Sequence, residues 1–453
     1  MSLKSFLKKL FPESWFGFYH WCMAWCAAFY FGFPSRRMTV VGVTGTKGKT
    51  STADFIWSVL TAGGYKTGLV STAHFRIGEK EFLNPYHMTM PGRFKLQRFL
   101  RTMQKAGCTH CVIETTSEGI KQFRHKGIAY DVAVFTNLSP EHLQSHGGSF
   151  EQYKKEKGKL FALLASSPQK TICGAATPIP KTTFQHSAEC WNVPKAIIVN
   201  YDDQARDYFL HFPADVKKTF GLGDGANIRA EQIRDTDDGV LFSVGGREYA
   251  LHILGRLNAQ NALPALALGE IFGISYEAMQ KGLAGLHVIP GRMEEIKEGQ
   301  NFRVFVDYAH EGKSMTALLE AARGIVAKTG GRVIVLLGAE GGGRDTAKRP
   351  TMGRLAGERA DYVVVSNVDP YEDDPKEICE DIARAAETAG KRRGENLFVI
   401  EDRREGIRKV LSLARSGDAV FITGKGAEQS MVIKGKNIPW DDRVVVREEL
   451  ARF

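Results

Sequence analysis

The segment Thr39-Val40-Val41-Gly42-Val43-Thr44-Gly45-Thr46-Lys47-Gly48-Lys49-Thr50-Ser51-Thr52 decides how the rest of the chain is read. It has the pattern of a short apolar strand, a glycine-rich turn and the first turn of a helix. Glycines in such a turn let backbone N–H groups converge on phosphate oxygens, and the helix N-terminus adds partial positive charge. Lys49 can reach the outer phosphates, and the Thr50 hydroxyl suits Mg²⁺. The residues Gly45, Thr46, Gly48, Lys49, Thr50 and Ser51 are therefore the expected cradle of a nucleoside triphosphate. The strict spacing of the motif would place a glycine where this chain has Val43, so the fit is to the shorter Gly45–Thr50 variant.

Downstream, Ala53 to Leu60 reads as a helix ending at Gly63-Gly64, and Thr67 to Ser71 as the next strand. Leu96 to Ala106 is a second helix, followed by a strand over Cys108 to Ile113 that ends in Glu114, and Asp131 to Leu138 is a further strand. Strands alternating with helices predict a parallel, doubly wound α/β sheet. A carboxylate at the C-terminal end of a parallel strand sits on the ligand-binding rim. Glu114 is thus a metal-ligand candidate beside Thr50, with an exposed strand-end glutamate as the alternative. His142 and His146, four apart after a strand, suit either metal ligation or a polar loop. Tyr153 to Phe161 is so rich in lysine that, taken alone, it reads as a solvated helix face.

A chain of 453 residues is long enough for two or three domains. A formal charge of +10 favours anionic partners, but the basic residues are dispersed and no aromatic-interleaved basic stripe points to nucleic acid. Seven cysteines without paired zinc spacing read as reduced, mostly buried thiols of a cytoplasmic protein. Residues 14–33 carry no Lys, Arg, Asp or Glu, are crowded with aromatics, and are flanked by Lys4, Lys8 and Lys9 before and by Arg36 and Arg37 after. That segment suits a helix packed on its own domain, an interfacial membrane anchor, or a span. Residues 165–250 read as a smaller β-rich excursion, with a hairpin turned at Gly245-Gly246. A second strand–helix alternation starts after Pro290, which divides the chain into 1–38, 39–290 and 291–453.

Taken together, Gly45 to Thr50, Glu114, the Val134 to Leu138 strand leading to His142 and His146, and the Tyr153 to Phe161 helix resemble the central domain of the Mur ligases. The spacing is most similar to the members that add the third residue to UDP-N-acetylmuramoyl-dipeptide. The resemblance implies a P-loop central domain, a Rossmann-like α/β C-terminal domain, ATP and Mg²⁺ as cofactors, and amide-bond formation through an acyl phosphate. It also implies that Lys157 is carbamylated and holds Mg²⁺ with Thr50, Glu114 and His142, while Lys49 supports the transferring phosphoryl group. By the same resemblance Asn261 reads adenine, Arg292 holds phosphate, Asp307 the ribose, and His310 lies near the nucleotide.

Thr89, Thr116, Gln122 and Arg124 fall where that branch holds the muramyl peptide, with Thr115-Thr116-Ser117-Glu118 replacing a usual Val-Ser-Ser-His. Arg344 falls where the family binds the α-carboxylate of the incoming amino acid, and Glu428 where it meets the amino group. Diaminopimelate-adding members carry Asp-Asn-Pro-Arg where this chain has Val368-Asp369-Pro370-Tyr371. Tyr371 thus stands in place of the arginine that would reward a second carboxylate, and Glu372, Asp373 and Asp374 follow it. L-lysine, L-ornithine and meso-diaminopimelate are all expected donors. Small-molecule substrates are the expected partners, with peripheral membrane contact through residues 14–33. Alternatives are a lipid-linked or other carboxylate acceptor, including folylpolyglutamate-type chemistry, or a membrane-tethered nucleotide-binding protein without catalysis. With only about 38 residues ahead of the cradle in this sequence, the acceptor is expected to be held mainly by the central domain rather than by a separate domain gripping a uridine nucleotide.

Overall fold

The computed structural model describes residues 13–86, 88–141, 143–173, 185–187, 190–343 and 345–452. Its first element is helix α1 (Glu13–Tyr30), and β1 (Thr39–Thr44) follows. Every residue of β1 is buried, as a central parallel strand covered on both faces requires. α2 (Lys49–Ala62), β2 (Thr67–Val70), β3 (His74–Ile77), β4 (Lys80–Leu83), α3 (Arg93–Lys105), β5 (His110–Glu114), α4 (Ser117–Lys121), β6 (Val132–Phe135) and α5 (Phe150–Ser166) come next. Then come β7 (Lys170–Cys173), β8 (Gln185–Ser187), β9 (Cys190–Val193), β10 (Ala196–Asn200), α6 (Arg206–Leu210), β11 (Val216–Gly221) and β12 (Ile228–Arg229).

The nine-stranded sheet has the order β12-β11-β10-β6-β1-β5-β2-β3-β4. It is parallel from β12 to β2, and β3 and β4 add an antiparallel edge. Side-chain alternation splits β1 between two cores: Val41 and Val43 pack with Phe55, Ile56 and Leu263, and Val40 packs with Leu96, Leu100 and Phe161. The phosphate loop therefore leaves the sheet at its middle, at the C-terminal ends of the parallel strands. That is the rim where open α/β sheets bind ligands.

β10, β11 and β12 extend this main sheet, so the segment 165–250 is only partly the separate β excursion expected from sequence. β7, β8 and β9 form one small sheet. β13 (Glu231–Asp235), β14 (Val240–Val244) and β15 (Arg247–Leu251) form another. Gly245 and Gly246, both at positive φ, turn the expected hairpin. α7 (Leu257–Ile271) and α8 (Tyr276–Ala284) close this half.

The second sheet is built from β16 (Glu294–Ile296), β17 (Arg303–Asp307), β18 (Val333–Leu337), β19 (Tyr362–Val365), β20 (Leu397–Val399) and β21 (Ala419–Thr423), in the order β16-β17-β21-β18-β19-β20. Only β16 runs antiparallel. α9 (Gly312–Ala327), α10 (Lys348–Arg359) and α11 (Pro375–Thr388) cover one face, and α12 (Arg403–Leu413) and α13 (Asp442–Leu450) the other. Between α12 and α13 lies the hairpin of β22 (Ser430–Ile433) and β23 (Lys436–Pro439).

Residues 14–33 largely form α1, which packs on α3 and on the turn at Gly127. Among the described residues no helix is long and apolar enough to cross a membrane. Cys190 is disulfide-bonded, which corrects the expectation of seven reduced thiols. The antiparallel register sets it opposite Cys173. Cys22, Cys26, Cys108, Cys111 and Cys379 are free, and Cys26 is exposed.

Candidate active site

Two glycines of the phosphate loop are required by its shape. Gly45 has φ +151° and Gly48 φ +77°; a Cβ on the first would run into Thr136 Oγ1 and one on the second into Asn261 Oδ1. The loop is braced from the end of β6. Thr46 N donates to Asn137 O (2.8 Å), Lys47 N to Asn137 Oδ1 (2.9 Å), and Thr136 Oγ1 to Lys47 O (2.7 Å). Ser139 N donates to Thr46 Oγ1 at 3.0 Å. Lys49 Nζ turns back onto Thr46 O at 2.8 Å, and burial pulls its pKa down against the opposing pull of Glu114.

Glu114, at the end of β5, is buried rather than exposed. Its Oε2 accepts from Thr50 Oγ1 (3.0 Å), from Thr72 N (2.8 Å) and from Thr72 Oγ1 (2.9 Å), and Thr72 Oγ1 lies 2.8 Å from Thr89 Oγ1. One hydrogen-bonded chain thus runs from the phosphate cradle to Thr89. Buried hydroxyl and carboxylate oxygens side by side are a donor set for a hard divalent cation.

α5 is not a solvated face. It exposes Lys155 and Lys159 but buries Tyr153, Glu156 and Lys157. Lys157 Nζ donates to Gly45 O at 2.6 Å and lies 4.4 Å from the Tyr153 ring centroid. Burial, then the neighbouring Lys49 cation, holds its pKa well below the ordinary lysine value. His146 is buried, 3.1 Å from Ser117 Oγ and 5.1 Å from the Tyr153 ring.

The second sheet reaches the same loop. Arg292 Nη2 donates to Thr50 Oγ1 at 3.3 Å, with its guanidinium 4.4 Å above the Tyr308 ring. Lys47 Nζ bridges Glu141 Oε2 (3.1 Å) and Glu311 Oε2 (2.9 Å), which ties the loop to the turn before α9. Burial, then the bond to Glu311, pushes the Glu141 carboxyl up to about 7. His310 Nδ1 bonds Tyr308 O at 2.6 Å, and its Nε2 lies 3.2 Å from Glu311 Oε1. The Asp307 oxygens accept from Met293 N (2.8 Å) and Ala309 N (2.7 Å), and burial raises its pKa against the pull of Arg292.

Farther along this rim, buried Lys425 Nζ bridges Asp369 Oδ2 (2.8 Å) and Glu428 Oε2 (2.6 Å). Tyr308 OH is 3.2 Å from Glu428 Oε1. Tyr371 adopts φ +56° and is pinned by backbone bonds to Val432 and Lys434. On the other side of the cradle, Thr116 caps α4 by accepting from Gly119 N at 3.1 Å. Arg124 donates to Gln122 Oε1 at 2.7 Å and to Met90 O.

Residues 43–193 match the Mur ligase middle domain, and residues 291–426 match the Mur ligase glutamate ligase domain. The chain is 38% identical to the UDP-N-acetylmuramyl-tripeptide synthetase of Roseiflexus sp. (strain RS-1), over 94% of this chain and 81% of that protein. It is 35% identical, over the same shares, to the UDP-N-acetylmuramoyl-L-alanyl-D-glutamate–2,6-diaminopimelate ligase of Geobacillus kaustophilus (strain HTA426). A solved structure of a ligase of that second name superposes with a TM-score of 0.58 and 27% identity, covering 92% of this chain and 78% of the other. The chain belongs to the Mur ligase family. Members of this family are ATP-dependent ligases that form amide bonds in peptidoglycan synthesis.

In this Mur ligase, several of the residues singled out from sequence gather around the phosphate loop. Thr50, Glu114, Lys157, Arg292 and Asn261 surround the loop, and Thr89 joins it through Thr72. Ser51 is buried at the start of α2. Asp369 and Glu428 converge on Lys425, and Tyr308, whose ring lies under Arg292, bonds Glu428. His142 and Arg344 lie outside the described residues. Sequence reasoning passed over Thr72, Lys47, Glu141, Glu311 and Lys425. Lys47, inside the motif, and Lys425, in the Gly424-Lys425-Gly426 turn, had a local signal; the others are defined by contacts between distant segments.

Proposed function

We propose that this Mur ligase adds a diamino acid to UDP-N-acetylmuramoyl-L-alanyl-D-glutamate, with residues 39–290 holding ATP and acceptor and 291–453 the amino acid. The observation that carries the reading is the Thr50–Glu114–Thr72–Thr89 chain, which couples the phosphate cradle to the acceptor side through one carboxylate. Lys49 and the loop N–H groups orient the triphosphate, Arg292 steadies it from the C-terminal side, and Lys47 with Glu311 keeps the two halves closed against water.

Thr50 and Glu114 fit Mg²⁺, with Lys157 as a further ligand once carbamylated; the resemblance adds His142 to that set. The ion would neutralise charge on the phosphoryl group being transferred to the acceptor carboxylate. Lys157 meets the chemical requirement for carbamylation. Its lowered pKa favours the neutral amine, whose Nζ can attack carbon dioxide, form an N–C bond and release one proton, which converts a nitrogen base into an oxygen ligand.

For the donor, Tyr371 offers no cation to a distal carboxylate, and three acidic residues, Glu372, Asp373 and Asp374, follow it in the same turn. Asp373 Oδ2 accepts from Gly342 N at 3.0 Å, so this acidic turn packs beside the loop leading to Arg344. L-lysine or L-ornithine therefore fits better than meso-diaminopimelate. Offering the three amino acids separately with ATP, Mg²⁺ and the acceptor, and weighing the product, tests this. Product should form with a donor bearing one carboxylate; preference for meso-diaminopimelate would refute the donor assignment and leave the ligase assignment standing.

A further inference from the structure

α1 is built inside out. Its small residues Ala24, Ala27 and Ala28 are buried, and Ala28 sits so close to Gly127 that a Cβ on that glycine would strike it. Its large rings point away: Phe18 is 63% exposed, Phe29 78% and Tyr30 75%, with Trp21 and Trp25 also exposed. Those rings touch one another along the helix, Phe18 to Trp21 at 6.2 Å and Trp21 to Trp25 at 6.3 Å, and Trp25 meets Phe33 at 6.3 Å. Positions 18, 21, 25 and 29 recur at helical spacing and so form one stripe. A folded chain ordinarily buries its large apolar side chains and leaves small ones outside, so a contiguous aromatic stripe of this size marks a contact surface.

What borders the stripe identifies the partner. Tyr30 and Phe31 pack on Phe94 of α3 (6.3 and 6.4 Å). α3 carries Arg93, Lys95, Arg98, Arg101 and Lys105 and no acidic residue. Arg36 and Arg37 are exposed just beyond the same C-terminal end of α1, with Arg36 4.3 Å above the Phe33 ring. Tryptophan and tyrosine rings settle at the headgroup level of a bilayer, and flanking lysine and arginine side chains are drawn to anionic lipid. Between α1 and α3 a cavity of about 450 Å³ opens, lined by Tyr19, Met23, Phe94 and the cations Arg93, Lys95 and Arg124.

We propose that the α1–α3 face docks on an anionic bilayer surface, with the aromatic stripe at headgroup depth and the basic side of α3 against lipid phosphates. Arg124 then lies at the edge of that contact, so the acceptor side of the central domain opens toward the membrane. The docking goes beyond the ligase reading and does not depend on it; only the placing of the acceptor side rests on that reading.

Flotation with vesicles of pure phosphatidylcholine and of equimolar phosphatidylcholine and phosphatidylglycerol tests it on the whole chain. Wild type should float with the anionic vesicles only, release in high salt, and show blue-shifted tryptophan emission when bound. A Phe18→Ser/Trp21→Ser/Phe29→Ser variant and a Lys95→Glu/Arg98→Glu variant, each with wild-type circular dichroism, should each lose binding by about tenfold or more. Failure of wild type to float at low salt would overturn the proposal. So would undiminished flotation of the aromatic variant, which would mean ionic attraction alone. A wild-type dimer that ignores vesicles and dissociates in the aromatic variant would make a second copy of this chain the occupant instead.

Discussion

A primary amine reacts with carbon dioxide only through its free lone pair, and burial beside Lys49 favours that form by lowering the Lys157 pKa well below the ordinary lysine value. The residue is held where it is needed, with its Nζ on Gly45 O of the phosphate loop. Lys157→Ala should therefore lower the rate of ADP formation by about 10²–10³-fold, the cost of losing one fixed electrostatic element of such a site. Carbon-13 bicarbonate should give wild type, and not the variant, a carbamate resonance. Lys157 also shows where local sequence misleads: a run of lysines on α5 suggests solvent, whereas the 3.6-residue period turns Tyr153, Lys157 and Leu160 inward together. Thr72 was illegible for the opposite reason. It follows a strand with no spacing signature, and only folding brings its hydroxyl to Glu114 and Thr89.

At the scale of elements, the glycine loop and the hairpin edge give two tests. Gly45→Ala should abolish nucleotide binding while leaving the protein folded, because the new methyl collides with Thr136 Oγ1 at a φ of +151°. Binding of a fluorescent ATP analogue, with circular dichroism as the control, reads this out. On the edge, His74 of β3 is clamped between Asp54 Oδ1 of α2 (2.7 Å) and Glu81 Oε1 of β4 (2.6 Å). Burial pulls its pKa down, but the Asp54 charge and the bonds to Asp54 and Glu81 outweigh it and raise the pKa from 6.5 to about 9. Because the folded value is raised, this stability is fully present below pH 6.5 and is lost as pH rises through about 9. The unfolding free energy measured in urea should fall across that window by an amount on the order of 3 kcal/mol, and His74→Phe should flatten the dependence. The sequence made the β1, β5 and β6 strands plain, since buried parallel strands are near-continuous apolar runs. It did not show that β10 to β12 complete the same sheet, because the pairing of Ala196 with Val132 is a long-range register.

For the whole molecule, the phosphate loop is the meeting point of both halves, held by Arg292 on Thr50 and by Lys47 on Glu141 and Glu311. Arg292→Ala should raise the KM for ATP by about tenfold through loss of a charge-assisted contact, with little change in thermal unfolding. Both α/β halves were legible from two separate strand–helix alternations; the ion pairs that join them were not, since Glu311 carries no motif that names Lys47 as its partner. The most direct test of the central claim is the coupling of ADP release to amide formation in wild-type protein supplied with Mg²⁺, ATP, UDP-N-acetylmuramoyl-L-alanyl-D-glutamate and a diamino acid. One ADP should form for each tripeptide, with none when the acceptor is withheld and no more than one per enzyme molecule when the amino acid is withheld. ADP release that continues without the acceptor, or no ADP release with every component present, would contradict it.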